Sequence, residues 1–475
     1  MTQYLPYAMN RRSFLSQAGG GLGMLALSHL LGQQLPAAGD GSRRGDPLAP
    51  QLLERRPRAK SVILLFQNGG PSQMDLFDPK PELTRHHGKP YPGNIEAHFH
   101  KQVRNLLQSP FRFQPHGQCG MQLCELLPHV GSIADEITLI RSMKTESVDH
   151  ERALRLIHSG SSIVPKASLG SWVVYGLGSE REDLPAYVVL TDPGGLPIDG
   201  VNNWASAFLP AACQGTPFRS SGQPVMHLQP PRELSAAARQ NQLALLGQLN
   251  ADHRTRYPQQ DELQARIDHF ELAARMQTAV PGVVDLAGET QETRALYGLD
   301  QEETADYGRR CLLARRLVEQ GVRFVSVYLH SQPWDTHSKN ASQLGGLCRR
   351  TDRPSAALVT DLKRRGMLED TLVIWAGEFG RLPVSQGPDG RDHNRHAFSI
   401  WLAGGGFKQG YVHGATDDFG YKATEDSVGV HDLHATLLHA LGIDHKRLAF
   451  HHEGRDDTLT DVVVSGARVI PELLA

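Results

Sequence analysis

The chain has 475 residues, 40% of them hydrophobic and 21% charged, with a formal net charge of −2. That length and composition fit a soluble globular protein with a sizeable core. The near-neutral balance supplies no global field to draw in nucleic acid or an anionic membrane. Twenty-three histidines, a common transition-metal ligand type, stand out.

Residues 1–38 read as a targeting segment. Asn10-Arg11-Arg12-Ser13-Phe14-Leu15 precedes a weakly apolar stretch at 18–31, which holds Gly20, Gly21, Gly23 and His29 and is too short for a membrane span. A twin arginine before a moderate apolar region resembles a Tat export signal, with cleavage near Ala37-Ala38. Residues 39–58, mixing Pro, Gly and Arg, read as a linker. The expectation is a periplasmic or secreted protein with no stable membrane span once the signal is removed.

Residues 59–475 read as a single α/β domain. Residues 61–66 (SVILLF) form a continuous apolar run of the buried-strand kind. Asn68-Gly69-Gly70-Pro71-Ser72 follows, a glycine turn through which backbone approaches a ligand closely. Residues 85–120 are rich in His, Pro and Phe without a period and read as an excursion over the active-site face. Residues 136–141 and 186–190 read as further strands. Between them His150 opens an amphipathic run through Leu154, Ile157 and His158 to Gly160. A His at a helix N-terminus has a lowered pKa and serves as neutral ligand or nucleophile; the plainer alternative is a structural cap.

A second loop excursion is expected around 191–260. Apolar spacing then predicts helices over 262–278 and 309–320, and again over 354–365 and 432–441, with Pro354 and the N-cap Asp432 as starts. Strands over 324–329, 372–376 and 398–403 alternate with them, which implies a mainly parallel sheet covered on both faces. Cys119, Cys124, Cys213, Cys311 and Cys348 are odd in number, lack a C-x-x-C pair and read as packing residues.

In open α/β sheets, ligands bind outside the carboxyl ends of the strands. Asp335 and His337, two apart just past strand 324–329, point to the same side of extended backbone and reach one ion together. Glu378 leaves strand 372–376 and needs a partner, either Arg381 or a metal. His393, in a Gly- and Pro-rich loop before strand 398–403, is placed to fold back over the same edge. Arg391 and Arg395 flank it, either to bind an anionic substrate group or to pair with Asp389 or Asp392.

The segment from Gly69 to Pro81 strongly resembles the bacterial family known as domain of unknown function 1501. So do Ser168-Leu169-Gly170-Ser171-Trp172, residues 375–381 with 390–393, Ala403-Gly404-Gly405-Gly406 and residues 431–436 (HDLHAT). More distantly, residues 373–380 are similar to the strand-then-Asp-His-Gly segment of the alkaline phosphatase and sulfatase superfamily. Residues 390–396 resemble its metal-binding His loop, and residues 150–160 the helix that carries its nucleophile.

That resemblance implies an alkaline phosphatase-like three-layer sandwich. It implies one intact metal site of Asp335, His337 and His393, holding zinc, manganese or iron. It implies a second, altered site. There Glu378 stands for Asp, Phe379 replaces the adjoining His or Asn, and Asn68 lies where the first strand delivers an Asp. His150 falls at the nucleophile position, Ser72 is a weaker nucleophile candidate, and Arg391 or Arg381 would face the equatorial oxygens. The sulfatase Cys-x-Pro-x-Arg signature is absent. A one-metal enzyme, or a different cage completed by His150 and Glu378, both remain open.

The leading expectation is an exported metal-dependent hydrolase of a sulfate or phosphate ester, acting on a small-molecule or glycan ester. The rival is a non-catalytic envelope protein that binds a sulfated or phosphorylated glycan. In a third reading the polar clusters pair only with each other and hold the fold.

Overall fold

The computed structural model describes residues 48–49, 55–219, 225, 236–257 and 261–475. The targeting segment and most of the linker lie outside them. Strand β1 (Ser61–Phe66) is buried at all six positions. Its residues alternate between two cores: Ile63 and Leu65 enter one, Val62, Leu64 and Phe66 the other. That is why its sequence is continuously apolar.

A small sheet uses β2 (Val103–Leu106), and the main sheet takes β3 (Ile137–Lys144), β4 (Tyr187–Thr191) and β5 (Thr216–Arg219). Strands β6 (Phe324–Tyr328) and β7 (Thr371–Ala376) join the main sheet; β8 (Gly380–Gln386) and β9 (Gly390–Asn394) join the small one; β10 (Phe398–Ala403), β11 (Tyr411–His413) and the short strand Val428–Gly429, which pairs with β3, complete the main sheet. The main order is β11-β3-β10-β7-β1-β6-β4-β5, with Val62 of β1 opposite Phe324 on one side and Leu372 on the other. Strand β10 runs against both its neighbours, and the remaining pairings of this sheet among the described residues are parallel.

On one face lie α1 (His150–Ser159), α2 (Leu169–Leu177) and α7 (Val430–Ala440); on the other, α5 (Glu302–Glu319) and α6 (Asn340–Arg364). The chain between carries α3 (Ala236–Arg256) and α4 (Asp261–Val284). The result is the three-layer α/β sandwich with a mainly parallel central sheet and helices on both faces.

Four local expectations change. Helix α6 begins at Asn340 and carries Pro354 inside it. Its buried Leu344, Cys348, Thr351, Ser355 and Leu362 follow helical spacing, but three of these five are small or polar and hide the period. Helix α7 begins at Val430 with Gly429 as N-cap. Asp432 is its third residue and accepts the Gly429 N–H at 3.0 Å, a capping-box role. The loop expected around His393 is strand β9, paired antiparallel with β8. Part of the second excursion is a helix, α3, of 21 residues. Cys124, Cys213, Cys311 and Cys348 are buried and Cys119 is exposed, and none of the five is in a disulfide.

Candidate metal centre

Strands β7, β1 and β6 lie side by side, and their carboxyl ends deliver Glu378, Asn68-Gly69 and the turn holding Asp335 and His337. Gly69 sits at φ +114°, and a Cβ there would come within 2.5 Å of the Asp335 amide nitrogen. Only glycine lets the ligand-bearing turn close onto the end of β1. Gly390 has the same function on β9, where a Cβ would overlap the His337 carbonyl.

Asp335 is the hub. Its Oδ1 lies 3.0 Å from His337 Nε2, 3.1 Å from His393 Nε2 and 2.7 Å from Arg381 Nη2. Its Oδ2 lies 3.4 Å from His150 Nε2, an ion-pair distance without hydrogen-bond geometry. Helix α1 presents His150 as its first residue, after Asp149 caps the helix by accepting the Arg152 N–H at 3.1 Å.

Each imidazole is held from behind. His150 Nδ1 lies 2.7 Å from Glu378 Oε1, and His393 Nδ1 lies 2.6 Å from the Val148 carbonyl. His337 Nδ1 meets Gln386 Oε1, whose amide nitrogen donates to Gln102 Oε1 at 2.8 Å. All three partners are acceptors, and so is Asp335 opposite each Nε2; a ring that keeps its single proton on Nδ1 leaves the Nε2 lone pair for an ion. His150, Asp335 and His393 each place a ligand atom within 4.8 Å of the other two, and His337, Asp392 and His393 form a second such set.

At these strand ends two buried atoms, His150 Nε2 and Asn68 Oδ1, have no hydrogen-bond partner among the described residues. The Asn68 amide is oriented unambiguously, because its nitrogen donates to the Leu329 and Ser331 carbonyls at 2.6 and 2.7 Å. Orphan acceptors beside a carboxylate and three imidazoles fit a divalent cation.

The electrostatics agree. Burial acts to raise the Asp335 carboxyl, but His150, His337, His393 and Arg381 hold it well below the usual carboxylate range. Burial acts to neutralise His150, yet Asp335 and Glu378 lift it to about 9. Burial pushes His393 down to about 3, with Arg381 and His150 adding to the effect. Without a cation, the site draws one proton onto His150 to answer its two carboxylates.

Several expected residues fall elsewhere. Glu378 is fully buried, and its oxygens accept the Gly69 N–H at 2.8 and 3.1 Å as well as His150, so it stands behind His150 rather than at the open side. Arg391 does not reach the centre. It is fully buried and pairs bidentately with Asp75 at 2.7 and 2.9 Å, not with Asp389 or Asp392. Ser72 is also buried, its hydroxyl donating to Asp75 Oδ2 at 2.6 Å. Arg381 does adjoin Asp335, but its remaining N–H groups go to the carbonyls of Gly69, Gly70, Trp334 and Arg391.

Sequence reasoning missed Gln386, Asp392, His98 and Phe99. Asp392 accepts the His393 N–H at 2.8 Å and the Phe99 N–H at 2.7 Å. That brings His98 face to face with His393 at 5.1 Å and Phe99 edge-on to His337 at 5.2 Å. The first excursion thus does cover this face. The His and Phe content of 85–120 was the available signal.

A family model described as a protein of unknown function (DUF1501) matches residues 59–474. The chain belongs to this family. No curated protein matches the sequence. Among solved structures, DUF1501 chain residues align with Ps i-CgsB in complex with k-i-k-neocarrahexaose at 10% identity and a TM-score of 0.37, covering 87% of this chain and 77% of that one. The PsFucS1 sulfatase from Pseudoalteromonas sp. aligns at 12% identity and a TM-score of 0.33, covering 85% and 73%. A TAB5 alkaline phosphatase mutant with bound magnesium aligns at 13% identity and a TM-score of 0.31, covering 74% and 92%. No described helix is long and apolar enough to cross a membrane.

Proposed function

We propose that this protein is an exported metal-dependent hydrolase that cleaves a sulfate or phosphate ester at the Asp335 centre. The supporting observation is the orientation of three imidazoles, each engaged at Nδ1 with its Nε2 facing one carboxylate. His150, Asp335 and His393 would hold a zinc, manganese or iron ion, with His337 and Asp392 beside it. Such an ion supplies Lewis acidity toward an ester oxygen and toward water.

The chain's own groups set the rest. Ser72 is engaged with Asp75 and His150 is turned to Asp335, so neither serves as nucleophile and water is the attacking group this reading requires. His337, the most exposed of the three imidazoles, marks the side from which a small-molecule or glycan ester enters. Export rests on the Arg11-Arg12 segment, which lies outside the described residues.

Binding without turnover is the second reading, and one observation favours it. Neither Arg381 nor Arg391 has a guanidinium free for an ester's oxygens. Elemental analysis of the purified protein beside His393→Ala tests the shared premise. Zinc, manganese or iron in the wild type, lost in the variant, supports the centre. Turnover of sulfate or phosphate monoesters by the loaded protein, lost in His150→Ala, then supports the hydrolase, whereas metal without turnover favours the binding protein. No metal after reconstitution overturns both.

A further inference from the structure

Phe99 is an apolar ring held at the mouth of a polar site. Its side chain is 39% exposed, yet the ring lies 5.2 Å from His337, nearly perpendicular to it, and 6.4 Å from His393. His98, stacked on His393, touches it from the other side at 4.5 Å. His337 is the most exposed of the three imidazoles, so Phe99 stands on the open side of the centre.

A single exposed phenylalanine is ordinary in itself. This one is fixed. Its N–H donates to Asp392 Oδ2 at 2.7 Å, and its carbonyl accepts the Gln102 N–H at 2.8 Å. Gln102 is tied in turn to the end of β8: its carbonyl accepts the Gly387 N–H at 3.1 Å, and its Oε1 accepts from Gln386 Nε2 at 2.8 Å. Gln386 also meets His337 Nδ1, and Asp392 also accepts the His393 N–H. The scaffold that orients two imidazoles thus holds the Phe99 ring beside them.

Such a wall is selective. An aromatic face is flat and carries negative charge density, so it favours weakly positive C–H groups presented together. A six-membered ring alcohol, whether a pyranose or a cyclitol, offers those C–H groups on a rigid face. An open-chain polyol carries similar hydroxyls without a fixed face, and ordering its rotors against the wall costs additional free energy. We infer that Phe99 is a specificity-determining residue, selecting esters whose alcohol part is a six-membered ring over esters of open-chain alcohols. The inference rests on the reading that an ester's anionic group sits at the Asp335 centre, and it adds which alcohol that ester carries.

The test compares glucose 6-phosphate with sorbitol 6-phosphate, and the corresponding 6-sulfates, on the metal-loaded full chain. Preference is the ratio of kcat/KM where the ester is cleaved, and of Kd where it is only bound. Phe99→Ala is expected to lower the preference for ring over open chain about 3- to 10-fold, with bound metal unchanged. Phe99→Tyr, which keeps the flat face, is expected to retain it. An unchanged preference in Phe99→Ala overturns the inference while the Asp335 reading stands. If Phe99→Ala loses metal or unfolds, Phe99→Leu replaces it, keeping apolar bulk without a flat face, and the preference must fall there too. A wild type that holds no metal, or that neither binds nor cleaves any of the four esters, is a different failure: it overturns the Asp335 reading and the inference with it.

Discussion

Two buried polar clusters of this protein are built on opposite principles. In the helical layer, Arg315 donates to Asp361, Glu319 and Glu289 at 3.0, 2.6 and 2.7 Å, and Arg316 and Tyr297 complete the set at 2.6 and 3.1 Å. Every donor there meets an acceptor. At the sheet edge, the Nε2 atoms of three imidazoles face the Asp335 carboxylate, Asn68 Oδ1 has no hydrogen-bond partner, and Arg381 is the only permanent cation bonded to Asp335 among the described residues. The first cluster is closed by its own protons and belongs to the fold. In the reading proposed above, the second is completed by a cation from outside.

The difference breaks most sharply at Asp335. Asp335→Ala removes the hub shared by all three imidazoles and is expected to reduce bound metal from about one equivalent to none, read by elemental analysis. A cost to the fold is expected as well, because the buried Arg381 loses its carboxylate partner. Arg315→Ala is expected to spare the metal. It leaves Glu289 and Asp361 buried without their guanidinium and costs about 3–5 kcal/mol in urea unfolding, with metal content unchanged. Equal metal loss in both variants would erase the distinction.

Glu378 sharpens the comparison further. It touches His150 Nδ1 and the Gly69 amide, so it acts on an ion only through the orientation of His150. Glu378→Gln is expected to weaken metal affinity about 10- to 100-fold, the usual cost of altering such an outer partner. Competition with a chromophoric chelator measures it. An unchanged affinity would show that His150 is not a ligand, and wild-type ester KM with reduced kcat would place Glu378 in the chemistry instead.

How much of this was legible in the sequence follows from how local each signal is. Strand β1 announces itself as SVILLF because both its faces are buried. His150, Asp335, His337 and His393 were legible as ligand types at strand and helix ends. The choice of partner was not. Arg391 and Asp75 are 316 positions apart, and nothing in either segment states that they meet. Gln386 was hidden because it looks like an ordinary polar strand residue, and only the small sheet turns its amide onto His337. Helix α3 was read as loop because its apolar residues cover nothing within the described chain and so follow no core-facing stripe.

The smallest expected effect contrasts two aspartates. Asp335 is held down by imidazoles and a guanidinium, whereas Asp352 has only the His129 and Val130 amides, at 2.9 and 2.8 Å. Burial wins there, and the Asp352 carboxyl is pushed up to about 7 from its ordinary 3.8. A folded-state pKa above the unfolded one means that the fold prefers the protonated acid. The corresponding stability is fully present below pH 3.8 and is lost as pH rises through about 7. Asp352→Asn keeps an oxygen for the amides of the 128–132 helix and cannot ionise. Its urea midpoint is therefore expected to gain on the wild type as pH rises across that window, with metal content unaffected. A constant difference between the two proteins at every pH would mean that Asp352 is ionised throughout and that some cation, absent from its surroundings among the described residues, answers its charge.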